Sequence, residues 1–152
     1  MKLNTLCYIE SGNNILMLNR NKKKNDENQG KWIGVGGKLE PHESPDDCMI
    51  REVKEETGLK LIDYQLRGII TFVLPKWEDE ICFLYSATQY EGTLKECNEG
   101  ELQWIKKEDV FNLPLWQGDT YFLDDLFYLN QFINIKLVYN EQDELVKVCK
   151  YT

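Results

Sequence analysis

Apolar and polar positions along these 152 residues fall into short runs of two kinds, and the change from one to the other lays out the expected elements. Leu3 to Glu10 and Ile15 to Arg20 are apolar stretches around Ser11-Gly-Asn-Asn14, which predicts two strands joined by a hairpin. Asn21 to Lys31 carries no large apolar side chain and is expected to form a mobile polar loop. Trp32 to Gly37 reads as a short strand running into a glycine-rich turn, Gly34, Gly36 and Gly37 giving the backbone freedom that a side chain would deny it. A helix follows: Ser44 suits its N-cap, Pro45 its first position, Asp46 and Asp47 the positive end of its dipole, and Gly58 its stop.

Leu66 to Leu74 and Ile81 to Gln89 are rich in β-branched and aromatic residues, and Leu102 to Ile105 predicts a further short strand. Lys106 to Asn112 reads as a short helix ended by Pro114. Thr120 to Phe132 places Phe122, Leu123, Leu126, Phe127 and Leu129 at helical spacing. Ile135 to Tyr139 and Leu145 to Cys149, around Asn140-Glu-Gln-Asp-Glu144, read as a closing hairpin, and the strands are expected to pair as a mixed sheet. With no repeat, low-complexity tract or linker, residues 1–152 are read as a single domain.

Composition narrows the class. Hydrophobic residues make up 42% and charged residues 29%, a globular mixture. No apolar run reaches spanning length and the N-terminus lacks the build of a secretory signal, so a cytoplasmic protein with no membrane partner is expected. Cys7, Cys48, Cys82, Cys97 and Cys149 are scattered without a Cys-x-x-Cys pair, which points to small buried hydrophobes rather than a disulfide framework or zinc cage. The formal charge of −8 argues against a partner that is a nucleic-acid polymer, whose binding draws on clustered Lys and Arg. A polyphosphate remains open to such a chain if divalent metal bridges the two sets of negative charge.

Candidate chemistry concentrates on the helix after Ser44. Glu52, Glu55 and Glu56 stand at i, i+3 and i+4, which brings three carboxylates onto one face. Uncompensated, their repulsion would weaken the helix, so the arrangement suggests a hard cation held by oxygen, Mg²⁺ with Mn²⁺ as a substitute. Met49, Ile50 and Val53 form an adjacent apolar face able to dock on a sheet. Taken alone, such a run reads first as a solvated charged face, since charged helix surfaces are commonplace.

Its setting decides between the two. From Gly37, five residues lead to Glu43 and seven more to Arg51-Glu52, followed by Val53, any residue, Glu55-Glu56, any residue, Gly58 and Leu59. Every position of G-x5-E-x7-R-E-U-x-E-E-x-G-U, with U aliphatic, is filled, and on this motif the chain resembles the Nudix hydrolases. The resemblance implies an α+β fold, an α/β/α sandwich about a central mixed sheet. It implies that Glu52, Glu55 and Glu56 bind the catalytic metal with help from the Gly37 carbonyl, and that Glu43 and Arg51 pair to brace loop and helix. Metal ions acidify an in-line water and neutralise the departing phosphate, so no side-chain nucleophile is required. That suits a chain whose one histidine, His42, is read as an exposed loop residue.

Resemblance to the MutT-like 8-oxo-dGTP diphosphatases runs past the motif, through Gly30-Lys-Trp-Ile-Gly-Val-Gly-Gly-Lys-Leu-Glu40, Gly68-Ile-Ile-Thr-Phe72 and Leu115-Trp-Gln-Gly-Asp119. It implies that Glu99 joins the metal site, against the plainer reading of a loop acid. It also implies that Trp116 and Asp119 meet the base with Phe72 and Thr5 lining the pocket; for Trp116 and Phe72 the plainer reading is core packing. Ile33 departs from the asparagine that vertebrate members carry there. The expected activity is Mg²⁺-dependent cleavage of a nucleotide substrate, 8-oxo-dGTP to 8-oxo-dGMP and pyrophosphate, in nucleotide pool sanitation and DNA repair. The rivals are a Nudix hydrolase of ADP-ribose, a dinucleoside polyphosphate or a capped nucleotide, and a non-catalytic nucleotide sensor, which would be marked by a degraded motif.

Overall fold

The computed structural model describes residues 1–151, and Thr152 lies outside them. β1 (Lys2–Ser11) turns through Gly12, at φ +59°, into β2 (Asn14–Asn19). The hairpin is paired only at its tip, Glu10 with Ile15 and Ser11 with Asn14. Beyond the tip β1 runs parallel to β5 (Glu80–Glu91), while β2 pairs with β6 (Glu101–Lys106) on one edge and with β3 (Trp32–Ile33) on the other. Residues following β3 then cross onto β1, Val35 bridging Cys7 and Lys38 bridging Asn4. The glycine-rich turn thus fills the fork where β2 leaves β1.

Outward from β5 lie β4 (Lys60–Val73), antiparallel to β5, then β7 (Ile133–Tyr139), parallel to β4, and β8 (Leu145–Lys150), which closes the expected hairpin. The order is β3-β2-β1-β5-β4-β7-β8, with β6 beside β2, so the mixed sheet is as anticipated.

Both faces of this sheet are covered, which is why β2 reads Ile-Leu-Met-Leu rather than alternating with polar residues. Tyr8, Ile15, Met17, Cys82 and Leu84 pack on one side against Val110 of α2 (Lys107–Val110) and Phe122, Leu123, Leu126 and Phe127 of α3 (Asp119–Tyr128). Cys7, Ile9, Leu16, Leu18 and Tyr85 pack on the other against Met49 and Val53 of α1 (Pro45–Thr57). Ile50, expected in that docking face, is exposed instead, because the helix turns Cys48, Met49 and Val53 inward. Four of the five cysteines are buried and none is bridged. Among the described residues no helix is long and apolar enough to cross a membrane.

The α1 caps match the reading of the sequence. Ser44 Oγ accepts the Asp47 N–H at 3.0 Å, the Asp47 carboxylate answers to the Ser44 N–H, and Gly58 ends the helix at φ +79°. Three expectations need correction. β4 begins at Lys60, not near Leu66. The last helix ends at Tyr128 rather than continuing to Phe132, because Leu129 turns extended and Arg67 from β4 takes the carbonyls of Leu126 (3.1 Å) and Leu129 (2.6 Å). The 21–31 loop is tied down, by Arg20 to Asp26 at 2.8 Å, Lys2 to Glu27 at 2.8 Å and Trp116 to Asn28 at 2.8 Å.

Arg67 is 7% exposed, and replacing it with Met would strand two helix-end carbonyls. Arg67→Met is expected to cost about 2 kcal/mol of stability, read as a melting temperature lowered by about 5 °C with turnover per folded molecule unchanged.

Candidate active site

The caps and the docking face of α1 fix how its outer residues meet the glycine-rich turn. Glu56 lies inward, 6% exposed, and neither carboxylate oxygen has a hydrogen-bond partner. Its pKa is pushed up to about 9 by burial first and by Glu99 and Glu52 next; Arg20 opposes, and the Gly36 N–H lies near without hydrogen-bonding geometry. Glu52 is half-buried against the turn: a Cβ on Gly37 would lie 2.7 Å from both of its carboxylate oxygens. Room for Glu52 is what Gly37 supplies, more than torsional freedom. Burial raises Glu52 too, against the pull of Arg51.

Glu55 points outward, its side chain 60% exposed, so the three helical carboxylates share a face but sit at graded depths. Arg51 gathers the rim, its Nε and Nη2 donating to Glu43 at 2.7 and 2.9 Å, Nη1 donating to Glu52 at 2.8 Å, and Nη2 donating to the Lys38 carbonyl at 3.2 Å. This pairing holds the Glu43 carboxyl down at about 2 and is the expected brace between loop and helix. Glu99, in the turn before β6, contacts Arg20 at 3.0 Å and Lys23 at 2.9 Å and is near enough to raise both Glu52 and Glu56. His42 is exposed, as read.

Among the described residues no three acidic, histidine or cysteine side chains converge as closely as the ligands of one ion. Arg51 holds Glu52, and Arg20 and Lys23 hold Glu99, away from a common point. The donor set nonetheless fits a hard divalent cation: a buried carboxylate with both oxygens unpartnered requires a positive partner, and Glu52 and Glu99 are its charged neighbours. Gly37 is the weaker member, because its carbonyl already accepts the Thr5 N–H at 2.8 Å. No hydrogen bond reaches the Gly36 carbonyl among the described residues.

A cavity of about 190 Å³ opens beside the glycine-rich turn. Its lining includes Thr5, Gly37, Phe72, Trp116 and Asp119, so the residues assigned to the base from sequence share one space with the turn, and Ile33 borders it too. Trp116 and Phe72 pack in the core, the plainer reading for them, and also wall the cavity. Trp116 donates Nε1–H to Asn28, meets Tyr139 edge-on at 5.0 Å and carries the Lys31 ammonium 4.5 Å above its ring. Asp119 is 3% exposed with no hydrogen bond to its carboxyl among the described residues; burial first and Glu80 second push it up to about 8, with Lys31 opposing.

Reading the sequence missed Asn4, Arg20, Asp26, Glu27, Asn28 and Glu80, all on the same wall. For Glu80 a signal existed: it opens β5 at the same parity as Cys82 and Leu84, which face the α3 side.

The NUDIX domain model matches residues 2–126, most of the chain. The chain belongs to the Nudix family. It is 32% identical over 147 residues to the uncharacterized Nudix hydrolase YvcI of Bacillus subtilis (strain 168), covering 93% of this chain and 89% of that one. The oxidized purine nucleoside triphosphate hydrolase of Mus musculus is 28% identical over 148 residues, 95% of this chain and 91% of that one. The crystal structure of a MutT protein from Bacillus halodurans superposes with a TM-score of 0.89 at 28% identity, covering 99% and 98% of the two chains. This Nudix hydrolase therefore has the α/β/α architecture of MutT-like members of a family acting on pyrophosphate bonds of nucleotide derivatives, generally with divalent metal.

Proposed function

We propose that this Nudix hydrolase cleaves purine nucleoside triphosphates to the monophosphate and pyrophosphate with Mg²⁺, and that 8-oxo-dGTP is its substrate in sanitation of the nucleotide pool. The observation that carries this reading is Asp119, a buried carboxyl without a hydrogen-bond partner among the described residues, in a cavity that reaches Gly37, the turn residue against which Glu52 lies. A guanine edge offers the N1 and N2 donors such a group lacks. The likeness to the mouse oxidized purine nucleoside triphosphate hydrolase supports a substrate of that class.

In this reading Glu52, Glu55, Glu56 and Glu99 hold the metal. The assisting carbonyl is that of Gly36 rather than Gly37, whose oxygen is engaged by β1. Bound there, divalent ions would acidify the attacking water and neutralise the departing pyrophosphate. Metal would draw Glu52 from Arg51, and Glu99 from Arg20 and Lys23, while Arg51 stays paired with Glu43. Thr5, Phe72 and Trp116 enclose the base and exclude water, and Asp119 accepts its donors. The protein would work in the cytoplasm, with neither nucleic-acid polymer nor membrane as partner.

A turnover screen with Mg²⁺ across unmodified and oxidised dNTPs, ADP-ribose and diadenosine polyphosphates tests the reading. Highest kcat/KM for 8-oxo-dGTP, with pyrophosphate as product, is expected; ADP-ribose or a dinucleoside polyphosphate outperforming it would overturn the substrate.

A further inference from the structure

Oxidation of guanine at C8 changes one position that a pocket can read by sign: N7, an acceptor in the parent base, carries a hydrogen in the oxidised one. Separating the two requires an acceptor with no hydrogen to donate at the working pH, and Ile33 offers none. Most polar atoms around the cavity are already engaged. Asn28 Oδ1 accepts from Trp116, the two Asp26 oxygens accept from Arg20 and the Asn28 N–H, and the Thr5 hydroxyl lies against Cys48 Sγ and the Gly37 carbonyl. Among the described residues, acceptors without a hydrogen bond remain on Asp119, on Glu27 (Oε2), on Glu80 (Oε1), on the Asn4 amide (Oδ1) and on the Gly36 carbonyl.

Of these, Glu80 is the carboxylate that stands on a strand beside Phe72, at the second edge of a base. It sits on a strand paired on both sides, opposite Lys2 of β1 and Phe72 of β4, and directly paired residues share a face. Glu80 therefore stands beside the Phe72 ring. Its Oε2 accepts from the Asn4 amide and lies 3.8 Å from Lys2 Nζ, which leaves Oε1 free. Glu27, by contrast, is on the 21–31 loop, its Oε1 held by Lys2 and its Oε2 enclosed. Asp119, 97% buried by its 3% exposure and unpartnered, feels the Glu80 charge, so the two carboxyls serve one space.

We propose that Glu80 is the specificity-determining residue of this pocket, its free carboxylate oxygen accepting the N7–H of an oxidised purine while Asp119 accepts from the Watson–Crick edge. The proposal rests on the purine-nucleotide reading above and names what that pocket selects. Burial first, then the Glu27 charge, push Glu80 up to about 7, with Lys2 opposing and Glu78 adding. Below that pH the neutral carboxyl can donate to the N7 lone pair of unmodified guanine; above it the carboxylate can only accept. Selectivity for the oxidised base therefore grows as pH rises through 7. Asp119 also titrates, but it reads an edge common to both bases and cancels in their ratio.

The test is kcat/KM for 8-oxo-dGTP and for dGTP, on either side of pH 7 with saturating Mg²⁺, in the wild-type enzyme and in Glu80→Gln. Glutamine keeps an oxygen for Asn4 and presents an N–H towards N7. The variant is expected to lose roughly ten- to a hundredfold on 8-oxo-dGTP, to hold or gain on dGTP, and to show a ratio independent of pH. Equal losses on both substrates, or an unchanged ratio, would overturn the proposal. Should Glu80→Gln fail to fold, the wild-type ratio decides alone, and a ratio flat across pH 7 overturns it. A wild-type enzyme that turns over ADP-ribose but neither guanine nucleotide defeats the substrate reading as well. A preference for 8-oxo-dGTP that survives in Glu80→Gln defeats the role of Glu80 only.

Discussion

Glu56→Gln is expected to lower kcat at saturating Mg²⁺ by at least about a hundredfold while the protein stays folded. The side chain is 6% exposed, both carboxylate oxygens are unpartnered, and Glu99 and Glu52 crowd it with like charge. In the metal-free protein burial and the neighbouring glutamates favour the neutral acid, a buried polar group without a partner among the described residues. Glutamine has the same shape and no charge, so in EDTA the variant should melt no lower than the wild type. Mg²⁺ should raise the melting temperature of the wild type, by mass action on a site present only in the folded chain, and leave that of the variant nearly unmoved. EDTA on the wild type should abolish turnover. Near-normal turnover of Glu56→Gln, or full activity of the wild type in excess EDTA, would remove the metal cluster from the mechanism. A variant that melts well below the wild type in EDTA would instead mean that Glu56 holds the fold.

The contrast between what was and was not legible follows from the range of the interactions. α1 could be read to the residue because its signals are local: Ser44 and Asp47 cap each other across three positions, and Gly58 takes the left-handed turn that stops the helix. The first half of β4 could not, because register shifts between Leu61 and Asp63, between Asp63 and Tyr64 and between Leu66 and Gly68 break the alternation by which a strand is recognised. The end of α3 is set by Arg67, a residue distant in sequence that takes two carbonyls there.

The same distinction divides the site. Glu52, Glu55 and Glu56 declare themselves by helical spacing, whereas the depth of each does not: Glu56 is inside and Glu55 outside because Met49 and Val53 dock the helix at one particular rotation. Nothing in Asn-Asp-Glu-Asn, residues 25–28, announces a cavity wall. Asp26, Glu27 and Asn28 become one through Arg20, Lys2 and Trp116, the last of them 88 positions from Asn28. Buried acids are hard to read in this way, since charge normally marks an exposed position. The turn glycines were found for the wrong reason: Gly34 and Gly37 are small because Cys7 and Glu52 approach them closely.

Asp119→Ala is expected to reduce kcat/KM for 8-oxo-dGTP by roughly ten- to a hundredfold, equivalent to about 1.5–3 kcal/mol for a charged hydrogen bond. Substrates without a guanine-like base should lose much less, because phosphate chemistry at the α1 carboxylates is untouched. The wild type carries a pH signature as well. Asp119 is raised to about 8 by burial and by Glu80, against Lys31, so at lower pH it is largely neutral and must lose its proton to accept from N1 and N2. Guanine-nucleotide kcat/KM should therefore climb as pH approaches 8, and the part of that climb centred near 8 should be lost in Asp119→Ala, leaving only the change through 7 assigned to Glu80. Stability moves oppositely. A carboxyl whose folded value lies above its unfolded value near 3.8 binds more protons folded than unfolded between those limits, so its contribution to folding declines as pH rises through that window. The melting temperature of Asp119→Ala relative to wild type should accordingly rise from acid pH towards pH 8. If the variant loses as much on ADP-ribose as on 8-oxo-dGTP, or its relative stability falls with pH, Asp119 is holding the pocket together rather than reading the base.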